Sequence, residues 1–241
     1  MPKMSLFGLQ DTGRIRENNE DRWLVDDSLS VAIVADGMGG AASGEIAAAM
    51  TVEEVVGYFR DPEPGLSPEQ VAKEAIRAAN DGVRKRSKQE ISCRGMGSTI
   101  VMAHWTLPRV VIANVGDSRA YLWRRGQLRQ LSYDQTLIND LRQSGLFSDE
   151  QLEGMANKNV LTMAIGTKEE VLIHTWIETL SAGDQILLCT DGLWSFVPED
   201  AISEVLRDKS DAAEILKELV ARANTAGGED NVTVVLLCFE A

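Results

Sequence analysis

The chain has 241 residues, 44% of them hydrophobic and 25% charged, which is ordinary for a globular protein and long enough to bury a core without disulfide staples. Its formal net charge of −13 repels phosphates, which argues against nucleic acid or an anionic membrane as a partner. No apolar run reaches transmembrane length, MPKMSLFGLQ has no long apolar segment after its lysine, and the three cysteines have no paired spacing, so the expectation is a soluble cytoplasmic protein without a membrane anchor.

In chain order, Ser5–Gln10 and Arg22–Val25 read as short strands around the polar segment 11–21, which by itself reads as a solvated loop. The β-branched run Val31–Ala35 predicts a buried strand, stopped by Asp36 and the glycines Gly37, Gly39 and Gly40. A carboxylate thus stands beside a carbonyl that no Cβ shields, and hard cations favour such oxygens, although Asp-Gly after an apolar run is also an ordinary turn. A helix over Gly44–Phe59 presents Ile46, Met50, Val52, Val55, Val56 and Phe59 on one face. A second starts at Ser67, with Pro68 in its first turn and Gln70 completing a capping box, and the basic run Arg84-Lys85-Arg86 suits its negative end.

Strands over Gly97–Trp105, Arg109–Val115 and Ser118–Trp123 follow with short turns at Pro108 and Gly116-Asp117, which implies antiparallel neighbours. The segment Tyr133–Gly166 then breaks the rhythm: one helix is stopped by Gly145, another starts at Ser148 capped by Gln151, and the whole reads as a flap on a sheet edge. Strands at Val171–Ile177 and Gln185–Thr190, helices at Pro198–Leu206 and Ser210–Ala223, and a last strand at Asn231–Phe239 complete the chain. Helices in pairs and strands in runs predict antiparallel sheets with helix pairs outside. Cys189 and Cys238 read as core, Cys93 in its polar stretch leaves a reactive thiol open, and the two histidines, His104 and His174, read as strand residues.

Acids recur at strand ends: Glu20-Asp21, Asp36-Gly37, Gly116-Asp117, Asp191-Gly192 and Glu229-Asp230. One such turn means little; their recurrence suggests that the ends converge. Two carboxylates about 4 Å apart repel by about 4 kcal/mol at an effective dielectric near 20, so a convergent set needs cations, and oxygen-only ligands select Mg²⁺ or Mn²⁺ over zinc. A two-metal site activates water and clamps a phosphoryl oxygen, and Arg16, just before Glu20-Asp21, is the natural cation for the phosphate.

The residues Arg16-x-x-Asn19-Glu20-Asp21, Val34 to Gly40, Gly97-Ser98-Thr99, Asn114 to Arg119, Thr190 to Trp194 and Asp230 to Thr233 resemble, in order, the motifs of the metal-dependent PP2C-like (PPM) protein phosphatases of bacterial type. The resemblance implies an α+β fold: an α-β-β-α sandwich in which two antiparallel β-sheets are flanked by pairs of helices, in one domain over residues 1–241 with the flap at about 133–166. It implies a binuclear Mn²⁺ or Mg²⁺ centre. By position Asp36 bridges both ions, Asp191 and Asp230 complete one site, and the Gly37 carbonyl serves the other with Glu20 and Asp21 reaching it through water. Asp117 with Asp191 matches a third, weaker metal site, and Arg16 matches the phosphate-binding arginine. The implied activity is hydrolysis of phosphoserine and phosphothreonine on proteins by a metal-bridging water, reversing a bacterial Ser/Thr kinase, in some members within secretion-system control, by a monomer. Met38 stands where many eukaryotic members carry a histidine proposed as general acid, and Gln135 where a histidine often follows in bacterial ones. The competing readings are a catalytically silent phosphoprotein-binding module of the same fold, which would be expected to have lost ligands, and a nucleotide cradle, for which no Gly-Lys-[Ser/Thr] follows Gly37.

Overall fold

The computed structural model describes residues 3–39, 43–153, 155, 160–208 and 211–240. The first half runs β1 (Lys3–Asp11), β2 (Asp21–Asp26), β3 (Val31–Met38), α1 (Ser43–Arg60), α2 (Pro68–Gln89), β4 (Gly97–Ser98), β5 (Ile100–Thr106), β6 (Arg109–Val115), β7 (Arg119–Arg124) and β8 (Gln127–Gln130). The second half runs α3 (Leu137–Ser144), α4 (Asp149–Glu153), β9 (His174–Thr179), β10 (Gln185–Cys189), α5 (Asp191–Trp194), α6 (Glu199–Asp208), α7 (Ala212–Thr225) and β11 (Val232–Glu240).

Side-chain alternation along the strands decides the architecture. In β3, Val31, Ile33 and Ala35 pack with residues of α1 and α2, while Ala32 and Val34 pack into a different core. In β11, Val232, Val234 and Leu236 pack with α6 and α7, while Val235, Leu237 and Phe239 join Ala32 and Val34. A strand apolar on both faces must lie between two layers. The result is helices α1 and α2, a sheet ordered β2-β3-β5-β6-β9 with β4 on the end of β3, a second sheet ordered β1-β11-β10-β7-β8, and helices α6 and α7. Every paired register is antiparallel. This is the expected α-β-β-α sandwich.

The Ser67 capping box forms as read, with the Gln70 N–H donating to Ser67 Oγ at 3.3 Å and the Ser67 N–H to Gln70 Oε1 at 2.9 Å. Ser148 and Gln151 repeat it at the start of α4. Within 133–166, α3 ends on Gly145 in the left-handed conformation, an antiparallel bridge Thr136–Leu161 closes the described part of the segment on itself, and a second, Ser98–Ile165, ties it to the end of β4.

Several elements differ from expectation. The strand Gly97–Trp105 is broken at Thr99, which turns to bond Asp36 from both its N–H and its hydroxyl. The strand expected from Val171 begins only at His174, because the Leu172 carbonyl is taken by the Gln135 side chain at 2.6 Å. β8, a polar edge strand, has no apolar alternation to reveal it, and α5 is a helical turn where a plain turn was expected. α7 is capped by Asp211, whose carboxylate accepts from the Glu214 N–H at 3.0 Å; the expected start at Ser210 and the glycine at 40 lie outside the described residues. Cys93 is fully buried in the core under α1 and α2, which removes it as an exposed reactive thiol. No helix among the described residues is long and apolar enough to cross a membrane.

Candidate active site

The acids meet where the two sheets end on the same side. Register places Asp21 of β2 directly opposite Asp36 of β3, so their side chains share a face. That face looks across to the other sheet, where Asp191 opens α5 after β10 and Asp230 precedes β11. A pocket of about 290 Å³ forms there, lined by Arg16, Glu20, Asp36, Gly37, Asp117, Asp191 and Asp230 among others. Of the acids singled out from the sequence, the pocket gathers all but Asp21 and Glu229.

Asp21 is 1% exposed, with Oδ2 accepting from Thr233 Oγ1 at 2.7 Å and Thr190 Oγ1 at 3.0 Å. It joins the sheets behind the pocket rather than lining it. Asn231 is a second scaffold. Its side-chain oxygen accepts from the Glu20 N–H at 2.8 Å, and its amide donates to the carbonyls of Thr12 and Asn18, each at 2.9 Å. The polar segment 11–21 is thereby pinned to the start of β11, which is why so hydrophilic a stretch is ordered beside the acids. Thr99 fixes Asp36: its hydroxyl accepts from the Asp36 N–H at 3.1 Å and meets the Ser118 hydroxyl at 2.6 Å. Gly192 is required by contact, since a Cβ there would collide with the Asn231 carbonyl oxygen.

Thr99, Thr190, Asn231 and Thr233 hold the acids in place, and only their position beside those acids marks them in the sequence. Leu161, contributed by the segment 133–166, also lines the pocket, and nothing local in the sequence marks it. Gln135 acts as a clasp: it accepts from the Gly116 N–H at 2.7 Å and donates to the Leu172 carbonyl.

The pocket is electrostatically strained. Burial, then the charges of Asp21, Asp191 and Asp117, raises the Asp36 carboxyl well above the ordinary aspartate range. Burial and the charge of Asp191 push Asp117 up to about 7. Burial and the charge of Asp230 push Asp191 up to about 6, against a hydrogen bond with Asp36 and the charge of Arg16. Burial pushes Asp21 up to about 7, opposed by its two threonine bonds. Glu20 is raised by burial, with Arg16 opposing.

Does this donor set fit divalent cations? Asp191 Oδ1 is buried without a hydrogen-bond partner among the described residues, a costly state that a cation would relieve. A Cβ on Gly44 would fall 2.6 Å from Glu20 Oε2 and 2.8 Å from the Gly37 carbonyl oxygen, so both oxygens border a space kept open by a glycine. The donors are all oxygen, as Mg²⁺ and Mn²⁺ prefer. Among the described residues no group of three acids is closed into a finished cage. Asp230 is instead turned onto Arg16, Oδ2 to Nη2, at 2.8 Å. The set fits, with Asp230 paired to the pocket's own cation.

A pH signature follows. A carboxyl whose folded pKa lies above its unfolded value holds its proton more tightly in the folded state, so stability falls as pH rises between the two values. For Asp21 and Asp117 that window runs from 3.8 to about 7. In EDTA the melting temperature is therefore expected to drop by roughly 5–10 °C between about pH 5.5 and about pH 7.5, and Mn²⁺ should restore more at the higher pH. A melting temperature in EDTA independent of pH across that interval would show that the acids do not strain one another.

Comparison with known proteins gives a consistent result. A sequence profile for the family Protein phosphatase 2C matches residues 14–236. The serine/threonine phosphatase stp of Listeria monocytogenes is 37% identical over 233 residues, covering 94% of this chain and 92% of its own. Among solved structures, the serine/threonine phosphatase PstP of Mycobacterium tuberculosis superposes with a TM-score of 0.89 at 31% identity over 99% of each chain. The catalytic domain of PstP in complex with two manganese ions gives 0.87 at 31% identity over 100% of each. PppA, a key regulatory component of the type VI secretion system in Pseudomonas aeruginosa, gives 0.82 at 28% identity, over 98% of this chain and 97% of its own.

Proposed function

The chain belongs to the protein phosphatase 2C family, and from that premise we propose how its pocket works as a metal-dependent serine/threonine protein phosphatase. The observation that carries the reading is the gathering of Asp36, Asp117, Asp191 and Asp230 with Arg16 in one pocket, with Asp191 Oδ1 buried and unpartnered among the described residues. We assign Asp36 as the central carboxylate that would hold Mn²⁺ or Mg²⁺ in this pocket. Asp191 and Asp230 would help to hold one ion, and the Gly37 carbonyl, with Glu20, would serve another. Asp117 with Asp191 would hold a third. Asp21 supports this set from behind through Thr190 and Thr233.

Bound divalent cations supply Lewis-acid polarisation of the phosphate and a water acidic enough to attack near neutral pH. The protein supplies position and charge. Arg16, with its side chain half exposed at the pocket mouth, presents N–H donors in a fork that matches phosphate oxygens. Water attacks phosphorus directly, the bond to the seryl or threonyl oxygen breaks, and phosphate and the free hydroxyl leave. Met38 lies in the pocket and has no proton to give, so the leaving oxygen takes its proton from water or from another acid of the pocket.

Residues 1–241 are read as one phosphatase domain with the flap at 133–166, supported by a profile match spanning nearly the whole chain. The substrates are phosphoproteins. On the family resemblance of its motifs we propose that the chain reverses a Ser/Thr kinase as a cytoplasmic monomer, and its likeness to PppA makes secretion-system control a specific pathway to examine. The test is hydrolysis of a phosphothreonine peptide in Mn²⁺, which EDTA should abolish. Well-folded protein that binds the peptide but shows no metal-dependent turnover would instead establish a silent binding module.

A further inference from the structure

Asp117 reaches the pocket from a tight turn between β6 and β7, and its direction depends on how that turn is held. On one side Gly116 adopts φ +97°, which favours glycine, and is gripped by Gln135: the Gly116 N–H donates to Oε1 at 2.7 Å and the Gln135 N–H to the Gly116 carbonyl at 3.0 Å. On the other side the Ser118 hydroxyl meets Thr99. Between these clamps the Asp117 carbonyl accepts a hydrogen bond from Trp194 Nε1 at 3.1 Å.

Trp194 closes the single helical turn that Asp191 opens. Residues three apart share a face of a helix, so this turn carries an acid of the pocket at one end and the indole that grips Asp117 at the other. The indole is itself held. The Arg119 guanidinium stacks on it at 3.8 Å from the ring centroid. Arg119 is fixed by Asp134, with Nε at 3.1 and 2.9 Å from the two carboxylate oxygens and Nη2 at 2.6 Å from one of them. The side chains of this ion pair are 17% and 6% exposed, so solvent screens it little. With its charge directed to Asp134, and to Glu199 at 3.5 Å, Arg119 is not available to phosphate.

We propose that Trp194 is a positioning residue that sets Asp117 against Asp191, with Arg119 and Asp134 as the buttress of its indole. This rests on the reading of Asp117 as a cation ligand. Its chemistry is that of an outer-sphere support, whose loss commonly weakens metal affinity by about 10- to 100-fold.

The experiment titrates the protein with Mn²⁺ alone and counts free ion by electron paramagnetic resonance, for wild type, Asp117→Asn, Trp194→Phe and the double variant. Phenylalanine keeps an aromatic face under Arg119 and removes only the N–H. Asp117→Asn should abolish the weakest binding step. Trp194→Phe should weaken that same step about tenfold, leave the tighter steps within about twofold, and add nothing in the Asp117→Asn background. Arg119→Lys, which keeps the charge but loses the planar stack, should weaken the same step. Melting in EDTA checks the fold; loss of one hydrogen bond predicts a shift of about 2–4 °C. An unchanged weak step in Trp194→Phe, with that step lost in Asp117→Asn, overturns the inference alone. Equal weakening of every step by Trp194→Phe also overturns it, as general loosening. Unaltered binding in Asp117→Asn overturns the ligand reading and the inference with it.

Discussion

Asp36→Asn is expected to lower turnover of a phosphothreonine peptide at least about a thousandfold, a loss of about 4 kcal/mol of transition-state stabilisation, and Asp191→Asn to do nearly the same. Each substitution keeps the shape of the side chain and removes the charge on which the cations depend. Asp36 sits where the charges of Asp21, Asp191, Asp117 and Asp230 all bear on it, so neutralising it relaxes that repulsion. The same variant should therefore melt higher than wild type in EDTA and gain less from Mn²⁺. Opposite signs for activity and cation-free stability separate this outcome from a folding defect, which would lower both. An Asp36→Asn protein that retained a tenth of wild-type turnover would remove Asp36 from the centre of the mechanism.

The second large effect is expected at Arg16. Arg16→Ala should cost about 100-fold in kcat/KM, since two charge-assisted hydrogen bonds to phosphate are worth roughly 3 kcal/mol together. Inhibition by inorganic phosphate should weaken in parallel. Affinity for Mn²⁺ should hold or rise, because Asp230 loses the arginine that now pairs with it at 2.8 Å. Equal losses of Mn²⁺ and phosphate affinity would contradict the assignment of Arg16 to the phosphate.

Much of this arrangement was legible in the chain. The strand carrying Asp36 announced itself by a β-branched run ending in glycine, and the Ser67 helix by its capping box, because both signals are local and physical. The gathering of the acids was legible as a recurrence of strand-end carboxylates and through the family resemblance of the ordered motifs; the register Asp21 opposite Asp36 and the closure against Asp191 and Asp230 belong to sheet pairing, which no short window contains. Asp21 shows the limit most clearly. Its sequence neighbour Glu20 lines the pocket, yet strand alternation turns Asp21 inward onto two threonines of the opposite sheet. β8 escaped notice because an edge strand of polar residues has no buried face to pattern, and α5 because one helical turn is too short to show a period. Cys93 lies among polar neighbours in sequence but beneath two helices in space.

The central claim is that distant aspartates share divalent cations in the pocket between the sheet ends. Anomalous diffraction at the manganese edge, from crystals grown with Mn²⁺, tests it most directly. Two strong peaks are expected, each about 2.1 Å from an Asp36 carboxylate oxygen, one also beside Asp191 and Asp230 and the other beside the Gly37 carbonyl. Manganese peaks that avoid Asp36, in crystals of protein that hydrolyses phosphopeptide, would contradict it.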